Sequence, residues 1–238
     1  MVRAPKTPPG AETPRRGRPP GSFSARSQIV FGAAEAFGEK GYGDTSVEDI
    51  LRAADVSRRT FYRFFRNKEQ VFEALFEVAS MIFLQSIRQA AAVAETPLAK
   101  VASCIDVYLR FPSSAGPIFR VLHLEATRPG SKVGPQRAAV IEALIGIFDQ
   151  EVAVAQGRRV DPLVFRGLIA ALESITLHVI TDTTGSEADL LRARRAMLAI
   201  LVSTLGQEGD PRVPLPQLEP PPDAPAGRKG GARMTRGR

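Results

Sequence analysis

Apolar residues recur along this chain at helical spacing, and the breaks between the runs carry helix-start and helix-stop residues. Ile29, Val30, Ala33 and Phe37 share one face of a segment that Ser24 can cap, and Gly41 can end, which predicts a first helix to about Lys40. Val47, Ile50, Leu51 and Ala54 then fall at i, i+3, i+4 and i+7. Thr45, with Glu48 three residues on, satisfies a capping box for this second, short helix. The pattern breaks at Asp55, and Ser57 can cap a third helix whose apolar members Phe61 and Phe65 face the core with Val56. Asn67, with Gln70 at the third helical position, starts a fourth helix in which Val71, Phe72, Leu75, Phe76, Ala79, Ile82 and Phe83 continue the stripe to about Ala94.

Proline marks the remaining boundaries, because it removes a backbone donor and clashes with the preceding turn. Of the 19 prolines, six lie in residues 1–22 and seven in 207–238, leaving Pro97, Pro112, Pro117, Pro129, Pro135 and Pro162 between them. Further helices are predicted near 97–111, 115–125, 135–156, 161–182 and 187–206. The fold class is therefore all-α with about nine helices and no strand pattern. In the last helix Leu190, Leu191, Met197, Leu198, Ile200, Leu201, Val202 and Leu205 cover more than one stripe, so the helix buries two faces. It is either a central core helix or half of a symmetric helix-pair interface.

Charge sharpens this outline. The net charge of +7 divides unevenly: residues 1–22 hold five basic and one acidic side chain, residues 207–238 hold six and four, and 21 and 20 remain between. Within that nearly neutral middle, Arg58 to Lys68 contains five basic residues and no acid. A local cluster of that kind faces a polyanion. The helix after Ser57 turns Phe61 and Phe65 inward and Arg58, Arg59, Thr60, Tyr62 and Arg63 elsewhere. Those cations, hydroxyl and phenol can bond phosphates, and arginine can bond guanine bidentately in a major groove wide enough for a helix. Two capped helices joined by a tight turn, the second one basic, read as a helix-turn-helix DNA reader.

Residues 24–76 resemble the N-terminal domain of the tetracycline-repressor (TetR/AcrR) family of bacterial transcription regulators. The matching positions include Phe37, Gly41-Tyr42, Thr45-Ser46-Val47, Ile50, Ala54, Val56-Ser57, Thr60-Phe61-Tyr62, Phe65, Asn67-Lys68-Glu69 and Leu75. The resemblance implies that Thr45 and Ser46 touch phosphate at the start of the second helix. It implies that Ser57, Arg58, Arg59, Thr60, Tyr62 and Arg63 supply base and phosphate contacts, and that Lys68 holds phosphate from the start of the fourth helix. Asp55 stands where the family usually has glycine, at a position that calls for positive φ, and Phe64 replaces the common histidine. The resemblance implies a homodimeric regulator, most often a repressor, joined through its last two helices to read a palindromic operator in double-stranded DNA. A small-molecule effector in the C-terminal domain would release it.

Four segments are expected: a basic arm over 1–22, a helix-turn-helix domain over 23–68, a helical ligand-binding and dimerisation domain over 69–206, and a Pro-rich basic tail over 207–238. Arg15, Arg16 and Arg18 lie in an Arg-Gly-Arg-Pro run similar to an AT-hook core, which suits a narrow A·T-rich minor groove. A generic basic linker would look the same, although the position just before a helix-turn-helix favours the groove. Among polar and aromatic residues of the second half, Tyr108, Phe119, His123, Phe148 and His178 are candidates for an effector pocket. With two histidines, the lone Cys104, and no phosphate loop, nucleophile elbow or paired metal motif, the sequence argues against an enzyme and implies no cofactor and no metal. No apolar run approaches the roughly 20 residues that span a bilayer, and the N-terminus lacks an apolar secretory core, so the expected location is the bacterial cytoplasm, at the nucleoid when bound to DNA.

Overall fold

The computed structural model describes residues 24–183 and 185–206. The predicted arm with Arg15, Arg16 and Arg18, and the predicted tail, lie outside the described residues. Nine helices and no strand are present among the described ones: α1 (Ala25–Asp44), α2 (Val47–Ala54), α3 (Arg58–Phe64), α4 (Lys68–Val93), α5 (Pro97–Ala115), α6 (Pro117–Thr127), α7 (Gly134–Gln156), α8 (Pro162–Asp182) and α9 (Glu187–Leu205).

Local chemistry explains most of the boundaries. Ser24 caps α1 by accepting from the Ser27 N–H, and Gly41 at φ 80° ends the regular part of that helix. Ser57 caps α3 by accepting from the Thr60 N–H at 3.1 Å. Ser186 and Asp189 form a reciprocal capping box on α9. The second helix is capped one residue later than the sequence pattern predicts. Ser46, not Thr45, is the N-cap, and Asp49, not Glu48, closes the box. Thr45 is 1% exposed, and its hydroxyl donates to the carbonyls of Ala36 at 3.2 Å and Gly41 at 2.6 Å.

Asp55 takes the left-handed conformation, φ 49° and ψ 49°, and it is the one non-glycine residue with positive φ among those described. Its N–H ends α2 by donating toward the Arg52 and Leu51 carbonyls. An L side chain there costs about 1 kcal/mol, a strain that glycine lacks. Asp55→Gly is thus expected to leave the turn intact and raise stability by up to about 1 kcal/mol, whereas Asp55→Val should lower it. Chemical denaturation of the two variants against the parent checks the sign of each.

The chain forms two compact units, which interleave along the sequence. The first comprises residues 24–82 and Ala115–Ala138, and the second Phe83–Ser114 with the described residues from Ala139 on. In the first unit Ile29, Phe37, Ile50, Phe61 and Val71 are fully buried. Tyr42, Phe37 and Phe72 add a ring cluster with centroids 4.7 to 5.6 Å apart. Leu122 and Ala126 of α6 and Val133 beyond it join this core, so the unit holding α1 to α3 recruits a helix from well inside the span expected for the regulatory domain. The second core gathers Ile87, Ile105, Leu144, Phe165, Ile169 and Met197 from α4, α5, α7, α8 and α9. An ion pair ties two of these helices: Arg194 on α9 meets both carboxylate oxygens of Asp106 on α5 at 2.6 and 3.1 Å.

Two of the described helices, α4 and α8, are long and apolar enough by length and composition to cross a membrane. This differs from the reading of the sequence, in which no apolar run approaches that length, because charged residues such as Glu73 and Glu77 in α4 and Arg166 and Glu173 in α8 divide the apolar stretches. In each helix, 33% of the apolar window is buried within the protomer.

Candidate nucleic-acid interface and apolar cavity

The helix-turn-helix presents α3 by anchoring one side of it and leaving the other to solvent. Phe61 is fully buried and Phe65 is 4% exposed, which fixes the rotation of this seven-residue helix. Ser57, Arg58, Arg59, Tyr62, Arg63 and Phe64 are consequently exposed, with Thr60 half-buried beside them. The sequence-predicted reading residues are therefore brought to one surface. Thr60 Oγ1 lies 2.9 Å from Ser57 Oγ, so the two hydroxyls are held together at the start of the helix. The Arg63 guanidinium sits 4.7 Å above the Phe64 ring. This cation–π contact stiffens the arginine without consuming its donors. Phe64 offers no phosphate contact of its own.

Arg58 is paired across the turn with Glu48 of α2, and both side chains are largely exposed. A base or phosphate must compete with that carboxylate for the guanidinium. At the start of α2, the Lys40 ammonium first, then the Ser46 hydroxyl and N–H, hold the Asp49 carboxyl well below the usual carboxylate range. Lys40 contacts it at 2.6 Å and Arg52 at 3.0 Å. The two acids of this helix end, Glu48 and Asp49, are thus matched by three cations.

The side chains of two predicted phosphate contacts, Thr45 and Lys68, are engaged within the protein. Thr45 is buried and its hydroxyl is spent on backbone carbonyls, so its side chain positions the cap instead of reaching the surface. Lys68 Nζ donates to the carbonyls of Tyr42, Gly43 and Thr45 at 2.8, 2.9 and 2.8 Å, and lies 5.0 Å from the Tyr42 ring centroid. An ammonium has three donors, and all three are used within the protein. Lys68 is a clamp that ties the end of α1 and the α2 cap to the start of α4. Lys68→Met, which keeps the stem but strands the carbonyls, should lower stability by about 2 kcal/mol while leaving the log–log salt slope of DNA binding unchanged. A slope reduced by about 0.9 would mean a direct phosphate contact instead.

The second unit encloses a cavity of about 180 Å³ walled by α5, α7, α8 and the ends of α4 and α9. Of the five pocket candidates, Tyr108 and Phe148 line it. Phe119 and His123 do not: they stack on each other on α6, in the first unit, with centroids 6.3 Å apart. His178 is exposed on α8 and bonds Asp182 at 3.0 Å, away from the lining. Lys100 and Glu151 are lining residues that the sequence reading missed. They sit 51 positions apart on α5 and α7, and their side chains meet at 2.6 Å. Cys104 also lines the cavity; burial, followed by the Glu151 charge, pushes its thiol up to about 11, so it stays protonated and unreactive.

Comparisons with known proteins agree with this geometry. A family model described as bacterial regulatory proteins, tetR family, matches residues 29–75. The chain is 39% identical over 88 residues to the transcriptional regulator AcuR of Cereibacter sphaeroides, a stretch that covers 35% of this chain and 40% of that relative's length. It is 24% identical over 185 residues to the fatty acid metabolism regulator protein of Bacillus subtilis, covering 74% of this chain and 93% of the other. Among solved structures, the fatty acid degradation regulator FadR of Bacillus halodurans is similar in fold, with a TM-score of 0.62 at 20% identity over 72% of this chain and 97% of that one.

Proposed function

We propose, from the premise that this chain belongs to the TetR family of transcriptional regulators, that it is a homodimeric repressor released from a palindromic operator by a small molecule. The observation that carries the reading is the exposed face of α3, where Arg58, Arg59, Tyr62 and Arg63 project from a helix pinned by Phe61. Arg58, Arg59, Tyr62 and Arg63 read bases and phosphates, and Ser46, Ser57 and Thr60 anchor phosphate from the two capped helix starts. The arm with Arg15, Arg16 and Arg18 extends the footprint into an adjacent minor groove.

Support for the dimer comes from α8 and α9. The apolar window of α8 is only one-third buried in the protomer, Leu163 is 71% exposed and Leu191 on α9 is 47% exposed. A surface of that kind requires a cover, and a second copy supplies one with two-fold symmetry. The cavity of the second unit is the effector site, and an occupant changes operator affinity by binding one of two conformations more tightly. Such a regulator works in the bacterial cytoplasm, at the DNA.

Selecting fragments of the source organism's genomic DNA with the full chain tests the proposal. The expected product is a pseudo-palindrome whose half-sites lie about one helical turn, roughly 34 to 36 Å, apart, flanked by A·T-rich sequence where the arm enters. Enrichment without a shared sequence would mean a nonspecific architectural binder instead.

A further inference from the structure

We infer that the cavity of the second unit takes an amphiphile with one anionic group, a carboxylate on an apolar chain. The inference rests on reading that cavity as the effector site. Its walls are chiefly apolar, with Val101, Phe148, Phe165, Leu172 and Leu201 contributed by four helices. The body of a ligand held there is therefore apolar as well.

Charge at the rim selects the head group. Lys100 and Glu151 pair at 2.6 Å with side chains 30% and 37% exposed, which places them where the cavity meets solvent. Leu98 and Val154, also lining residues, are exposed there. A second cation adjoins the lining: Arg158 donates to the Leu205 carbonyl at 2.9 Å and to Gln156 Oε1 at 2.8 Å, and both of those residues line the cavity. Two cations thus stand against one carboxylate. The other acids nearby are committed or turned away: Asp149 pairs with Arg159 at 2.7 Å, Asp161 caps α8, and Glu95 is exposed and does not line the cavity. Cys104, a lining residue, stays a neutral thiol.

The exchange is asymmetric. An arriving carboxylate accepts from Lys100 while Glu151, already partly in water, turns outward and keeps its hydration. An arriving ammonium would displace Lys100 from Glu151 in the same way but would bring a third cation to the rim, whereas a carboxylate brings a second acid to face two cations. An uncharged alcohol gains the apolar wall but no charge-assisted hydrogen bond.

Octanoate, octanol and octylamine share a chain and differ in the head, so their dissociation constants with the full-length protein, measured by calorimetry, separate the contributions. Octanoate is expected to bind about tenfold more tightly than octanol, with octylamine weakest. Lys100→Met should erase the octanoate advantage and leave octanol binding in place. Glu151→Gln, which removes the competing carboxylate, should strengthen octanoate binding and so tests the idea with the opposite sign. Octylamine binding tightest, or an octanoate preference unchanged in both variants, overturns the inferred head group. Failure of all three probes to bind overturns instead the reading of this cavity as the effector site.

Discussion

Replacing Arg58 and Arg63 together by alanine is expected to abolish discrimination between the operator and scrambled DNA while the helical content stays that of the parent. Both side chains are exposed on α3 and neither packs in the core, so the fold has no need of them. A bidentate arginine contact with a base is worth about 1 to 3 kcal/mol of discrimination. A dimer presents four such arginines, and even the lower end of that range gives about 4 kcal/mol, or roughly a thousandfold loss of operator affinity relative to nonspecific DNA. The Arg58 substitution has an added effect: Glu48 loses its partner and becomes an uncompensated negative charge beside the phosphates. Fluorescence anisotropy on operator and scrambled duplexes over a salt series, with far-ultraviolet circular dichroism as the control for folding, measures both consequences. Retained discrimination in the double variant would remove α3 from its role as the reading helix.

The local grammar of the chain made much of this fold legible. Helix starts at Ser24, Ser57 and Asn67, the stop at Gly41 and the positive φ at Asp55 are decisions taken within one turn of backbone, and the sequence states them. The cap of α2 shows where local information becomes degenerate. Thr45 and Ser46 each have an acid three residues later, Glu48 and Asp49, so the pattern fits both. Burial of Thr45 against the end of α1 decides between them, and that burial is a tertiary fact. Lys68 illustrates the same limit, since a lysine at a helix start reads as a phosphate ligand until the carbonyls 23 to 26 positions earlier fold back onto it.

The cavity was harder to foresee. Tyr108 and Phe148 face it because they sit on the inner stripes of α5 and α7, which periodicity can find. His123 and His178 are polar residues among apolar neighbours in the sequence, a property that does not fix which way a helix is turned. The recruitment of α6 into the first unit, through Ile118, Leu122 and Ala126, leaves no local signature. Likewise, no spacing rule connects Lys100 with Glu151.

Gly32 carries the most severe expected effect on stability. In the interior of α1 a glycine costs about 0.5 to 1 kcal/mol relative to alanine, so on propensity alone Gly32→Ala should stabilise the protein. The packing reverses that sign. A Cβ at position 32 would stand 2.4 Å from the Ala54 nitrogen and 2.6 Å from its Cα, which are backbone atoms of the last residue of α2. Neither can swing aside as a side-chain end would. The turn that follows is fixed by the left-handed Asp55 and by the Val56 N–H donating to the Leu51 carbonyl at 3.2 Å. The two helices would have to separate, opening the core around Ile29, Ile50 and Phe61. The cost is expected to reach about 3 kcal/mol, the upper part of the range for overpacked sites, and operator binding should weaken with it because α2 packs beside α3 in the proposed reading head. Gly43→Ala is the matched control, since a Cβ there meets nothing within 4 Å, and its melting temperature should stay close to that of the parent. A Gly32→Ala protein that melts no lower than Gly43→Ala would show that α1 and α2 do not approach through this glycine.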